Sequence, residues 1–189
     1  QHGIERIERP VAAIDPGQRQ VRLGDGETIA YDALLLATGA EPRRLDIPGH
    51  DLPHVHVLRT LADCEAIIAG TEGAKRAVVI GASFIGLEVA ASLRARELEV
   101  HVVAPSPPLA RVFGPELGVM IQGLHEEQGV TFHHGQTVTR IEPDTVTLQS
   151  GERVAADLVV AGIGVTPRTN LAEAAGLTVD NGVIVNEYL

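Results

Sequence analysis

The feature that most constrains the fold is an apolar strand that runs directly into a glycine turn and a helix. Ala77 to Ile80 are consecutive apolar residues, Gly81 follows, and a helical pattern then continues to about Arg96. A second β-branched stretch, Glu99 to Val103, comes next. Because parallel neighbours in a sheet need a crossover helix between them, this order is typical of a βαβ unit. The sequence therefore predicts an α/β fold with a doubly wound parallel sheet.

The alternation of helices and strands continues after this unit. A helix is predicted to begin at Pro115, with Met120 and Leu124 on one face, and to end before Gly129. A short strand, Val130 to Phe132, follows it. This pattern extends the predicted parallel sheet by one strand and one helix.

An internal duplication links the two ends of the chain. Residues 21–39 and 146–164 align without a gap, so that Gly26 matches Gly151 and Asp32 matches Asp157, an offset of 125 residues. The stretches in which these copies lie, Val11 to Leu36 and Thr137 to Val160, show short alternating strands with turn signals, and this predicts an antiparallel β-meander. The counterpart of Gly81 would lie upstream of Gln1. We therefore expect one complete nucleotide-binding domain and the closing strands of a second.

The Gly81 turn has the residues of a Rossmann-like dinucleotide-binding loop. Gly81 permits the tight turn, Ser83 is small enough for the backbone to approach a pyrophosphate, and Gly86 lets the helix pack closely on the sheet. The helix N-terminus would supply N–H groups and a partial positive charge to the phosphates. A plain strand-to-helix turn is the alternative for this segment taken alone, because Ser83 replaces the usual middle glycine.

The second strand of the unit ends without the acidic residue that usually binds the adenosine ribose. That acid is expected about 20 residues after the glycine loop, and the corresponding residue here is Ala104. Ser106 and Arg111 follow and could face a 2′-phosphate, although Arg111 could equally be a solvated surface residue. The sequence leaves the choice between NADH and NADPH open.

Composition excludes several classes of protein. The single cysteine, Cys64, excludes an internal disulfide and a cysteine-rich metal site, and fits a reducing, cytoplasmic compartment. The formal net charge of −10 disfavours binding to the nucleic-acid backbone. The longest apolar stretch, Ala77 to Ala91, is interrupted by polar residues and glycines, so it cannot cross a membrane. Four histidines lack accompanying ligands at metal-binding spacing and are interpreted as structural: His54, His56, His133 and His134.

Together these segments resemble the flavin-dependent pyridine nucleotide oxidoreductases, most closely the ferredoxin reductases that serve oxygenases and the apoptosis-inducing-factor-like proteins. The resemblance covers nearly all of the chain. The matching segments are Tyr31–Asp32, Leu35–Ala40 with Pro42, Leu58–Thr60, Val79–Ala91, and Ala161–Gly164 with Pro167.

The resemblance implies two cofactors, FAD and NAD(H), with NADP(H) not excluded. It implies that Phe84 forms an aromatic lid over the flavin and that Glu88 lies near the nicotinamide, although without the family Phe84 could be core and Glu88 a solvated helix residue. The residues expected against FAD are Ala37, Thr38, Gly39 and Arg59. Those expected to hold the dinucleotide are Gly81, Ala82, Ser83, Phe84, Ile85, Gly86, Gly162, Ile163 and Gly164.

The resemblance also implies a division of the chain. Residues 1–70 would be the closing strands of the FAD-binding domain with a linker, 71–168 the NAD(P)H-binding domain, and 169–189 a segment returning towards the FAD domain. The chain would then be a fragment, inactive by itself.

The implied reaction passes hydride from NAD(P)H to FAD and electrons onward to a ferredoxin or Rieske-type iron–sulfur protein. No protein general base is expected, because the cofactors carry the chemistry. The absence of a CxxxxC motif argues against the disulfide-reducing branch. Two alternatives are a nucleotide-binding redox sensor or interaction module, and a single-domain dehydrogenase whose substrate domain lies elsewhere. The duplication speaks against the dehydrogenase.

Overall fold

A computed structural model gives the fold of residues 3–188, which form two compact units. The larger unit is Pro42–Val165, and the smaller one combines the residues before Pro42 with those after Val165. The elements, in chain order, are β1 (Val11–Asp15), β2 (Gln20–Leu23), β3 (Thr28–Ala30), β4 (Ala40–Pro42), β5 (Val55–Val57), α1 (Leu61–Gly70), β6 (Arg76–Ile80), α2 (Phe84–Arg94), β7 (Glu99–Ala104), α3 (Ala110–Phe113), α4 (Pro115–Glu127), β8 (Val130–His134), β9 (Val138–Glu142), β10 (Thr145–Leu148), β11 (Arg153–Ala155), β12 (Leu158–Ala161), β13 (Val165–Pro167), α5 (Asn170–Ala174), β14 (Val179–Asp180) and β15 (Gly182–Val183).

The larger unit is built on a five-stranded parallel sheet with the strand order β5-β12-β6-β7-β8. Val79, Val100 and Leu158 on one face of the sheet pack with residues of α1 and α2. Val78 and Val103 on the other face pack with the antiparallel sheet of β9, β10 and β11. These central strands are apolar on both faces because both are covered. The predicted parallel sheet with an antiparallel meander is confirmed.

The division into a flavin part before residue 71 and an NAD(P)H-binding domain at 71–168 stays a prediction, and the larger compact unit begins earlier, at Pro42. The reason is β5, which pairs with β12 and so draws the segment that follows Pro42 into the larger unit. The smaller unit contains the sheet β1-β2-β3 and the hairpin β14-β15, and α5 packs on β1. None of the helices described within residues 3–188 is long and apolar enough to span a membrane.

The duplication is visible in the structure. Strands β2 and β3 correspond residue for residue to β10 and β11 at the offset of 125. The turns match as well: Leu23 N–H donates to the Glu27 carbonyl at 2.8 Å, and Leu148 N–H donates to the Glu152 carbonyl at 2.8 Å. Gly26 and Gly151 both have positive φ, at 91° and 88°. The two copies therefore share a backbone conformation as well as a sequence.

One expected strand does not form. The alternating pattern predicts strand structure up to Leu36, but the strand ends at Ala30. The duplication aligns residues 33–36 with β12, which lies in the middle of the parallel sheet between β5 and β6. No sheet described within residues 3–188 includes residues 33–36, and Leu35 is 77% exposed whereas its counterpart Val160 is 1% exposed. The segment therefore has the sequence of a buried strand, but within residues 3–188 no described strand pairs with it.

Asp157 fixes the start of β6. Its carboxylate accepts hydrogen bonds from the Arg76 guanidinium at 2.6 Å and from the backbone N–H groups of Lys75 and Arg76 at 3.0 and 2.9 Å. These donors, with Arg76 first, lower the pKa of Asp157 to about 2. Because the ionised form is favoured in the folded state, its stabilisation is complete above the ordinary pKa of 3.8 and is lost as the pH falls from 3.8 towards 2.

We expect Asp157→Asn to lower the free energy of unfolding at pH 7 by about 1 to 2 kcal/mol, a value reduced for partial solvent screening. Denaturant unfolding measures this loss. The matched control is Asp32→Asn, at the duplicated position, where the side chain is exposed and the change should stay within about 0.5 kcal/mol. An equal loss in both variants would contradict the role given to Asp157.

Three half-buried histidines should make the folded chain less stable in mild acid, at a higher pH than the one at which Asp157 acts. Burial is the main cause that lowers the pKa of His56, His125 and His133 below 6.5. The unfolded chain then binds more protons than the folded one, so stability should decrease as the pH falls below 6.5. We expect the thermal midpoint at pH 5 to lie a few degrees below that at pH 7, and His133→Gln to reduce the difference. A higher midpoint at pH 5 would overturn this prediction.

Candidate functional site

Ser83 joins the glycine loop, helix α2 and strand β12. Its hydroxyl accepts a hydrogen bond from the Gly86 N–H at 3.3 Å and so caps the helix. The same hydroxyl donates to the Gly162 carbonyl at 2.8 Å. Ser83 therefore has a structural function in addition to its predicted small size, because it holds the start of the helix against the end of β12.

Three glycines allow these segments to approach one another. A Cβ atom on Gly81 would lie 2.5 Å from the Gly162 carbonyl oxygen, and one on Gly86 would lie 2.2 Å from the Gly81 carbonyl oxygen. On Gly162 the nearest atom would be the Gly86 Cα at 3.1 Å. Gly81 also has a φ of 103°, which side chains rarely adopt. This geometry agrees with the turn and packing roles predicted for Gly81 and Gly86.

A cleft of about 340 Å³ opens at the carboxyl edge of the parallel sheet, between the glycine loop and the segment that follows β7. The predicted residues that line it are Gly81, Ala82, Ser83, Phe84, Ala104, Arg111, Gly162 and Ile163. Ser106, which the sequence offered as a partner for a 2′-phosphate, lines it as well. The lining residues that were not predicted are Pro105, Pro107, Leu109, Ala110 and Val112. They follow the end of β7, and this position could have indicated them, since ligands of open α/β sheets bind at the carboxyl ends of the strands.

The cleft favours an anion. Among the lining residues within the described range 3–188, Arg111 is the only charged one, in a chain of net charge −10. Helix α2 points its N-terminus at the cleft and has no acidic residue in its first turn. Its first N–H groups therefore add partial positive charge without a competing carboxylate.

Phe84 stands at the mouth of the cleft rather than in the core. Its side chain is 51% exposed and meets Phe113 edge to face, with ring centroids 5.7 Å apart. Phe113 is also 48% exposed. The alternative that Phe84 is a core residue is therefore wrong, and an exposed aromatic ring is available to a ligand in the cleft.

The family model described as "Pyridine nucleotide-disulphide oxidoreductase" matches residues 1–189. The chain belongs to this family. It is 43% identical over 187 residues to rhodocoxin reductase from Rhodococcus erythropolis, covering 96% of this chain and 44% of the relative. The solved ferredoxin reductase from Rhodopseudomonas palustris superposes with a TM-score of 0.90 at 42% identity, over 96% of this chain and 46% of that one. The chain thus spans less than half the length of these proteins.

Two further solved structures that resemble the chain differ from each other in the nucleotide that they bind. The water-forming NADH oxidase from Lactobacillus brevis, bound to NADH, matches with a TM-score of 0.76 at 28% identity, covering 87% of this chain and 39% of that one. Its engineered variant, bound to NADPH, matches with a TM-score of 0.77 at 28% identity, covering 89% and 39%. The variant changes an aspartate to alanine, the next residue to arginine, the residue after that to serine, and a proline seven positions after the aspartate to arginine.

Some site residues predicted from the family do not line the cleft. Glu88 is exposed and faces a separate groove of about 280 Å³ between α1 and α2. Arg59 is exposed, and its backbone N–H donates to the Asp63 carboxylate at 3.0 Å. Ile85 and Gly86 turn inward from the start of α2. Gly164 precedes β13, and its carbonyl accepts a hydrogen bond from the Arg43 N–H at 3.0 Å.

The predicted flavin segment lies in the smaller unit. The Thr38 hydroxyl donates to the Arg168 carbonyl at 2.7 Å, and the Arg168 N–H donates to the Gly39 carbonyl at 3.0 Å. Thr38 lines a cavity of about 460 Å³ together with Glu41 and Arg168, which form an ion pair at 3.0 Å. Ala37 is exposed beside them. The segment is therefore accessible on the surface of its own unit.

Proposed function

We propose that this chain is the nicotinamide-nucleotide-binding part, with a portion of the flavin-binding part, of a flavin-dependent ferredoxin reductase. The observation that carries the proposal is the cleft at the carboxyl edge of the sheet, where the close-packed glycines, the N-terminus of α2 and Arg111 meet. Family membership and the ferredoxin and rhodocoxin reductases among its relatives support it.

The residues present fit a nicotinamide dinucleotide. Gly81, Ala82 and Ser83 line the cleft, and the first N–H groups of α2 would bind the oxygens of a pyrophosphate there. Phe84, at the mouth of the cleft, would cover the nicotinamide end and keep water from it. When bound, such a nucleotide supplies a hydride to FAD, which can release electrons singly to an iron–sulfur protein.

The flavin side of the proposal rests on the duplication. Residues 33–36 have the sequence of a central strand, yet residues 33–35 are exposed, and Ala37, Thr38 and Gly39 follow this segment directly. Together with Arg59 these are the residues that we assign to FAD. The relatives are more than twice as long as this chain, which leaves room for the sheet that such a strand would join.

The proposed electron acceptor is a ferredoxin or Rieske-type iron–sulfur protein, and the relatives whose names include ferredoxin support the first of these. A cytoplasmic location is supported by the single cysteine in a chain of 189 residues. The placement of Glu88 near the nicotinamide stays a prediction.

Purification and spectroscopy of the intact protein test the function. We expect bound FAD that NADH or NADPH bleaches under anaerobic conditions, and reoxidation when a ferredoxin is added, with turnover on the order of 1 per second or faster. A protein without flavin would contradict the proposal. A long-lived reduced complex that transfers electrons only slowly would favour the redox sensor instead.

A further inference from the structure

We propose that the cleft accepts the 2′-phosphate of NADP(H), with Ser106 and Arg111 binding it beside Ala104. This inference rests on the nicotinamide-nucleotide function proposed above. It concerns the end of the cleft that is formed by β7 and the segment after it, where the adenosine ribose of a bound dinucleotide is expected.

The first argument is the set of side chains that meet there. Ala104 ends β7 and lines the cleft without a carboxylate, so nothing at this position accepts a hydrogen bond from a ribose hydroxyl or repels a phosphate. Ser106 and Arg111 line the same cleft and offer a hydroxyl and a guanidinium. No aspartate or glutamate is among the lining residues in the part of the chain that the structure describes. A dianionic phosphate would therefore meet one cation and no anion.

The second argument is the match to the engineered oxidase that binds NADPH. That variant carries alanine in place of an aspartate, serine two positions later and arginine seven positions later. This chain has Ala104, Ser106 and Arg111 at the same spacing. The variant also changes a glycine 18 positions before the aspartate to alanine, and Gly86, the last glycine of the loop, lies 18 positions before Ala104. The spacing supports the register, but the chain keeps a glycine at this position, as the NADH-bound parent does.

The match to the NADPH-binding variant also fails at the residue directly after Ala104. The variant has an additional arginine directly after the alanine, where this chain has Pro105. Arg111 must therefore supply the positive charge alone. Its removal should then abolish most of the discrimination in favour of a 2′-phosphate, since no second cation lines the cleft to compensate.

The test is a calorimetric titration of the intact protein with two probes, adenosine 2′,5′-bisphosphate and AMP, which differ only in the 2′-phosphate. We expect the bisphosphate to bind about 10- to 100-fold more tightly, the range of one or two charge-assisted hydrogen bonds. Arg111→Ala should remove that advantage, while Arg111→Lys should restore part of it. Arg96→Ala, at an exposed arginine elsewhere in the larger unit, is the matched control and should change neither affinity.

A second variant keeps the inference falsifiable if Arg111→Ala fails to fold. Ala104→Asp introduces a carboxylate and should weaken binding of NADPH while strengthening that of NADH. Equal affinities for the two probes, or an advantage that survives Arg111→Ala, would overturn the inference while leaving the nucleotide function intact. If neither NADH nor NADPH binds, both proposals fail.

Discussion

Replacing Gly81 with alanine should lower the free energy of unfolding by about 3 kcal/mol and abolish binding of nicotinamide nucleotides. The added Cβ would lie 2.5 Å from the Gly162 carbonyl oxygen, a backbone atom that cannot swing aside as a side chain can. The φ of 103° at Gly81 adds backbone strain for any other residue. Relief of the clash requires β12 and the start of α2 to separate, and this movement would break the cleft. Denaturant unfolding and calorimetric titration measure the two effects.

Substitutions at two other glycines distinguish the effect of the steric clash from the effect of the backbone strain. Gly151 has a positive φ of 88° but no atom within 4 Å of a Cβ, so Gly151→Ala should cost only the strain, about 1 kcal/mol, and leave binding unchanged. In Gly49→Ala the Cβ would lie 2.0 Å from the Ile141 carbonyl oxygen, away from the cleft. We expect that variant to lose stability and keep nucleotide binding while folded. A Gly81→Ala protein as stable as Gly151→Ala would contradict the argument.

The parts of the site that the sequence could predict are local. The strand that ends at Ile80, the turn at Gly81 and the helix that follows are determined by neighbouring residues, and the structure has all three. The placement of Ala104 and Arg111 in one cleft could also be predicted, because both follow the same strand at the carboxyl edge of the sheet.

The remaining features depend on contacts between distant segments. Val55–Val57 is too short for periodicity to reveal, and it is a strand only because β12 pairs with it. The inward hydrogen bond of Ser83 needs the Gly162 carbonyl from the other end of the unit. Glu88 illustrates a limit of resemblance, because α2 carries it about one turn beyond Phe84, where it lines a different groove.

The duplication supplies a control for the core substitution that we expect to be most destabilising, because the matching residue of the first copy is exposed. Val160→Ala should lower the free energy of unfolding by about 2 to 3 kcal/mol, because Val160 is 1% exposed and packs in the core beside α1 and α2. Its counterpart Leu35 is 77% exposed, so Leu35→Ala should change the stability of residues 1–189 by no more than about 0.5 kcal/mol. Denaturant unfolding of both variants beside the parent chain measures the difference.

The same pair of variants in the intact protein tests the assignment of residues 33–36 to a flavin-binding sheet. If that sheet exists, Leu35 is buried in it as Val160 is in its own, and Leu35→Ala should then cost about 2 to 4 kcal/mol and weaken retention of FAD. Val160→Ala should cost about the same in both contexts. A Leu35→Ala substitution that is neutral in the intact protein would mean that the duplicated strand has no sheet to join, and the flavin half of the proposed function would lose its structural support. A cost that appears only in the intact protein would identify this segment as part of the second nucleotide-binding domain, because no described element of residues 3–188 provides the burial that such a cost requires.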